Sequence, residues 1–305
     1  MGVPYRSLGS CLGLGLESTY GTPVSRTRWC YINGSGLKQV ARNRAARGRL
    51  AHKSTAFVAS RFVVDNQVGG TVTVPGSYSA LGLLLRAAFG TVTGTGPYTF
   101  AAAAALPSLT VEQVVGTSGR SEVYEGCKVN SMTMTAAPGS EVLFAFDIIA
   151  QTKAADGSAG SPTLTDAVPI EHFEVAVTWN GSSVGTVKNV SSVLTNALNR
   201  RPQVGSLDTA EPSVGVREVR TTVVIDKESF AFRSSETSDT AANLVITCTD
   251  TATGAKTFVY TVPDCVLKLD ESIGDSVADL TSSLEFESTG NPQIVVTNGE
   301  ATYDV

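Results

Sequence analysis

Apolar and polar residues alternate with a period of two through long parts of the chain. Phe173, Val175, Val177 and Trp179 alternate with Glu174, Ala176 and Thr178, and Leu244, Ile246 and Cys248 alternate with Val245, Thr247 and Thr249. Phe258, Tyr260 and Val262 share one face, and Leu280, Leu284 and Phe286 oppose Thr281, Ser283, Glu285 and Glu287. This period predicts strands that bury one face. Turn residues separate the runs at Ala137-Pro138-Gly139, Asn180-Gly181 and Thr253-Gly254. From Ser79, the spacing of Leu81, Leu84, Leu85 and Ala88 predicts one helix that Gly90 ends. The pattern therefore describes an all-β protein with a minor helix packed on a β-sandwich.

The stretch from Thr152 to Pro169 is small, polar and Pro/Gly-bearing, and reads as a linker near the middle of the chain. The two sides look like diverged copies. A shift of 138 positions sets Cys127 on Cys265, Glu141 on Asp279, Asp147 on Glu285 and Ile148 on Phe286 without a gap. Arg42-Asn43-Arg44 falls near Asn199-Arg200-Arg201, and Val63-Val64-Asp65 near Val223-Val224-Ile225-Asp226. The shared order predicts an internal duplication. It divides the chain into an amino-terminal arm (1–24), a first β domain (25–152), a linker (153–168), a second β domain (169–291) and a tail (292–305).

At 305 residues and 42% hydrophobic content the chain can bury a sizeable core. Its charged fraction of 17% lies below the roughly 25% of an average soluble domain. Low charge with many small β-formers suits sheets that become covered on assembly better than a freely diffusing enzyme. No apolar run approaches the roughly 20 residues of a membrane span. The first residues lack a signal-peptide core, and Arg6 breaks a myristoylation motif, so the chain is expected to be made and kept in a cytoplasm, with no membrane anchor. Five widely spaced cysteines predict buried core thiols rather than a disulfide framework or a zinc site.

Charge is unevenly distributed. Residues 1–62 carry ten Lys/Arg and one acid, whereas the remainder carries thirteen Lys/Arg and twenty-seven acids. The segment Lys38–Lys53 holds Arg42, Arg44, Arg47 and Arg49 with no acid; it could neutralise phosphates, but it has no aromatic residue to stack on bases. Motifs for catalysis are missing. His52 and His172 stand apart from any metal-ligand spacing, no GxSxG elbow or phosphate loop occurs, and the carboxylates of LDESIGDSVAD read as solvated hairpin charge. No cofactor is expected. Three sequons carry little weight without a secretory signal.

Two segments are more specific. Leu14-Gly15-Leu16-Glu17-Ser18-Thr19-Tyr20-Gly21-Thr22-Pro23 resembles the amino-terminal signature of bacteriophage (siphophage-type) major tail tube proteins. Leu106 to Glu112, and then Tyr124-Glu125-Gly126-Cys127-Lys128-Val129-Asn130, resemble the family's hallmark strands. The second half lacks the Tyr-x-Gly-x-Lys-Val-Asn string, and there the resemblance to the two-domain form of the family rests on order and spacing. The resemblance implies a non-enzymatic virion protein. Strands of neighbouring domains would join around a ring to close an inner β-barrel, and stacked rings would form a hollow tube for DNA ejection.

With two tube domains per chain, a homotrimer would supply a pseudo-hexameric ring, and the duplication favours a non-contractile tail. The expected location is the phage tail, with host cytoplasm during assembly. Expected partners are further copies of the chain, tape-measure, tail terminator and tail tip proteins, and DNA that passes without specific binding. Glu17, Thr19, Tyr20, Gly21 and Pro23 are expected in an assembly arm, and Lys38, Arg42, Arg44, Arg47 and Arg49 at the ring-to-ring interface. Glu141, Asp147, Asp270, Asp275, Asp279 and Glu285 are the acidic candidates for the lumen. The alternatives are a phage decoration or fibre module and, from another class, a β-sandwich hydrolase.

Overall fold

The computed structural model describes residues 10–46, 61–116, 120–154, 157–158, 162, 164, 168–226, 241–270 and 281–298, with backbone alone for 39–46, 61–65, 157–158 and 269–270. The first half contributes β1 Cys11–Leu16, β2 Arg28–Tyr31, β3 Gly34–Ser35, β4 Lys38–Ala46, β5 Arg61–Pro75, β6 Gly90–Thr93, β7 Tyr98–Ala102, β8 Leu109–Val115, β9 Arg120–Ala136, β10 Leu143–Ala150, β11 Thr152–Lys153 and β12 Gly157–Ser158. The second half contributes β13 Val175–Trp179, β14 Ser182–Ser183, β15 Val187–Thr195, β16 Asn199–Arg201, β17 Ala210–Ser213, β18 Glu218–Asp226, β19 Ala242–Thr249, β20 Thr257–Asp270, β21 Thr281–Ser288 and β22 Gln293–Thr297. Helix α1, Gly82–Phe89, ends at Gly90 as its periodicity predicts.

One antiparallel sheet runs through both halves in the order β4, β5, β10, β9, β15, β18, β21, β20, with β3 beside β4 on the same edge of β5. Only the carboxyl-terminal parts of β9 and β20 belong to it. Their amino-terminal parts turn into a second layer. There β9 pairs with β8, which pairs with β1 and through it with β2. In the same way β20 pairs with β19, which pairs with β13 and through it with β14. The strand order of the first half thus recurs in the second.

Alternation explains the layering. In β10, Phe144, Phe146, Ile148 and Ala150 are buried, while Leu143, Ala145, Asp147 and Ile149 face the other way. Leu284 and Phe286 of β21 point into the same core, where Phe286 meets Trp179 of β13 at 5.8 Å between ring centroids. Phe144 meets Phe258 of β20 edge-on at 5.6 Å, so the halves share one hydrophobic core. All five cysteines are buried and free, as expected. Burial pushes the thiols of Cys30 and Cys248 up to about 12 and that of Cys265 up to about 11, which keeps them protonated and inert.

Four expectations change. Residues 11–24 are no arm in this structure: β1 is buried and forms the ladder between β2 and β8. Its Leu-Gly-Leu-Gly-Leu pattern has glycine where a polar residue would alternate, because a Cβ at Gly13 would lie 2.7 Å from the Trp29 ring. Residues 1–9 lie outside the described residues. Part of the assigned linker is paired: β11 and β12 add to β9. In the assigned tail, β22 pairs with both β20 and β7. Phe173, placed on a buried strand face, lies in a 3-10 turn with 63% of its surface exposed, because β13 begins only at Val175.

Candidate assembly interface

The two signature segments, over a hundred residues apart in sequence, meet at the bend of β9. Gly126 sits there with φ +63°, and a Cβ would fall 2.8 Å from the Gln151 side chain and 3.1 Å from the Tyr20 ring. Glycine alone meets both demands without strain. Glu17, buried, holds the turn in place. Its Oε1 accepts hydrogen bonds from the Gly126 amide at 2.9 Å and the Thr110 hydroxyl at 2.9 Å, and its Oε2 accepts from the Gly21 amide at 3.0 Å. The Thr22 amide donates to the Thr19 carbonyl, which closes the turn, and Pro23 leaves it on the exposed side. Glu17, Thr19, Tyr20 and Gly21 therefore brace the bend of β9. Tyr20 keeps its phenol protonated because burial raises its pKa.

The next hallmark residues tie the halves together. Lys128, buried, places its Nζ 2.6 Å from Glu211 of β17 and over the Tyr20 ring. Asn130 donates to Asp147 Oδ2 at 2.9 Å, and its Oδ1 accepts from the Leu198 amide at 2.9 Å. Asn196, fully buried, donates through Nδ2 to the Ala88 and Val129 carbonyls, each at 3.0 Å. The β16–β17 hairpin lies across β5: the Asn66 amide donates to the Leu207 carbonyl, Asn66 Nδ2 to Asp208, and Arg200 to the Val68 carbonyl. None of these partnerships follows from local pattern. The Gly-x-Lys-Val-Asn spacing marks Lys128 and Asn130 alone, and nothing comparable marks Asn66 or Asn196.

Among the described residues, the continuous sheet is covered on one face only. Its other face carries Thr71, Thr73, Thr133, Thr135, Ser191, Val193 and Thr222 beside a band of charge. Asp147 and Glu285, both lumen candidates, lie on that face; Glu285 is 4.0 Å from Lys268. Glu218, Arg220 and Glu287 lie beside them, with Arg220 Nε donating to Glu218 at 2.5 Å and its Nη2 3.6 Å from Glu287. Alternation in 218–226 could have found Glu218 and Arg220, and Glu287 belongs to the polar face already read in β21.

Glu141 is not on this face. It stands before β10, where its Oε1 accepts from Asn33 Nδ2 at 2.8 Å, and among the described residues it is the sole carboxylate lining an apolar cavity of about 250 Å³ beside Tyr31. The buried carboxylate pair that would favour a hydrolase is not among the described residues lining this cavity. Asp270 ends β20 with backbone alone described, and Asp275 and Asp279 lie outside the described residues. Of the basic candidates, Lys38 is exposed on β4 and Arg42 and Arg44 stand on the same strand, opposite Asn66 and Val63; Arg47 and Arg49 lie outside the described residues.

Among the described residues, a sandwich with one uncovered sheet face and two open sheet edges is a fold suited to joining further copies of itself. The family model for phage tail tube protein matches residues 7–297, and the chain belongs to that family. The family is structural and non-enzymatic and places the protein in the virion tail. A comparison with curated proteins finds no match.

Proposed function

We propose that the chain is the major tail tube subunit of a siphophage-type tail, and that three copies close a ring whose stacked repeats form the conduit for DNA ejection. One observation carries this reading: an eight-strand sheet with one uncovered face and two edges that, among the described residues, pair with no strand. An open edge is an aggregation hazard that closure removes. A ring is the closed arrangement that does so symmetrically, and stacking is the contact that propagates. Internal duplication gives three copies six quasi-equivalent positions.

The uncovered face would then line the channel. It presents threonine, serine and a small excess of acid, through Asp147, Glu218, Glu285 and Glu287 against Arg220 and Lys268. Such a wall neutralises few phosphates, so DNA slides instead of binding. Arg42, Arg44 and Arg47 are placed at the seam between rings, attracting acidic loops of the next ring in a salt-dependent way. The column ends would meet tail terminator and tail tip proteins, with the tape-measure protein inside during assembly in the host cytoplasm.

Negative-stain microscopy of the concentrated protein tests this. Hollow tubes are expected from the natural chain, and unstacked rings from the triple variant Arg42→Glu, Arg44→Glu, Arg47→Glu. A protein that stays monomeric at every concentration overturns the tube, and a triple variant that stacks normally overturns the seam.

A further inference from the structure

We propose that the junction joining the two halves of one chain is repeated between chains, and that it sets the register of the seam within a ring, which takes Lys38 away from the ring-to-ring contact: Lys38 of one copy stands opposite Asp270 of the next, and Gln39 opposite Leu269. The proposal rests on the ring reading and adds to it which residues meet.

The argument is a count along paired strands. In the first half Leu109 pairs with Cys127 and Val111 with Tyr124, leaving residues 125 and 126 bulged; in the second half Ala242 pairs with Cys265 and Leu244 with Val262, leaving 263 and 264 bulged. The bulges coincide under a shift of 138, and each contains a residue at positive φ, Gly126 at +63° and Asp264 at +51°. The shift holds onward: Val129 faces Ile148 as Leu267 faces Phe286. One extra residue, Asn130, then enters the first half. Ser131 opposite Asp147 therefore corresponds to Lys268 opposite Glu285, and Thr133 corresponds to Asp270.

The other edge counts in the same way. Ala150 pairs with Val68 as Ser288 pairs with Val219, so Gly69 corresponds to Arg220. Lys38 faces Gly69 and Val193 faces Arg220, so Lys38 corresponds to Val193 and Gln39 to Leu194. This equates Val223 with Val72, not with the Val63-Val64-Asp65 run that the repeat pattern set near it. Within the chain, β15 joins β9 with Val193 opposite Thr133 and Leu194 opposite Met132. Applied between copies, the same joint sets Lys38 against Asp270.

Two further observations fit. Lys38 and Asp270 carry opposite charge where the internal joint has Val193 and Thr133, and opposite charges across a ladder favour one register, since a slip by one residue reverses every side chain's face. Arg217 stands where Asn66 stands in the internal joint, the position that holds the β16–β17 hairpin. Its Nε and Nη2 are shut off from solvent with no partner among the described residues. In the repeated joint, the β4–β5 hairpin of the next copy covers it. The seam lacks the internal latch, because Val266 replaces Lys128, and so depends more on the strand ladder and this charge pair.

Directly opposed antiparallel residues have Cα atoms about 4.5–5.5 Å apart, within disulfide reach. The full chain carrying Lys38→Cys and Asp270→Cys, assembled and mildly oxidised, is expected to give covalent dimers and closed trimers on a non-reducing gel. Lys38→Cys with Lys268→Cys, two positions away, is expected to give at least about tenfold less, given that reach. Lys38→Glu alone should impair ring formation, and adding Asp270→Lys should restore it. If rings form but the first cysteine pair cross-links no better than the second, the register is wrong and the ring reading stands. If neither variant nor natural chain forms rings, the ring reading fails and takes the register with it.

Discussion

Replacing Glu17 with alanine is expected to destabilise the folded chain by about 3 kcal/mol, since each buried partner left unpaired costs roughly 1–3 kcal/mol. The carboxylate accepts from Gly126, Thr110 and Gly21 at once, and the first two of these bonds are buried. Its negative charge strengthens each bond. Glu17→Gln keeps one acceptor oxygen and should recover part of the loss. Urea unfolding at constant slope measures both. A change below about 1 kcal/mol for Glu17→Ala, small beside the expected cost of unpaired buried groups, would mean that packing of Tyr20 against Gly126 holds the turn without the carboxylate.

Phe144→Ala is expected to cost about 3–5 kcal/mol, the usual range for emptying an aromatic site in a core. The more informative expectation is that both halves lose this stability together. Phe144 contacts Phe146 in its own strand, at 6.4 Å between centroids, and Phe258 from the second half at 5.6 Å. Each half contains one tryptophan, Trp29 or Trp179. Fluorescence of Trp29→Phe and Trp179→Phe versions of the variant should report one coincident transition. Two separated transitions would mean that the halves fold as independent domains despite their shared core.

Much of this fold could be read along the chain, and the reasons for the rest are physical. Strands with one buried face, such as β10, β19 and β21, write their burial as alternation, and α1 writes its own as a period of 3.6. The strand β1 is enclosed on both sides, and two glycines that make room for Trp29 and the Ser25 carbonyl remove the polar half of its pattern. It therefore looked like an arm. The partnership of Glu17 with Gly126, and of Lys128 with Glu211, is fixed by tertiary contact, which no local period records. The charge asymmetry was legible as a fact of composition. Its placement was not, because Lys38 lies at a sheet edge while Asp147 and Glu285 lie on an uncovered face, and only the pairing registers separate those positions.

The most direct measurement is a cryo-electron microscopy structure of the assembled protein. The account predicts a hollow tube of stacked three-chain rings, with β4 of each copy paired to β20 of the next and Asp147, Glu285 and Glu287 facing the channel. A tube whose wall turns that sheet face outward, or whose arginines 42 and 44 project into the channel, would contradict it.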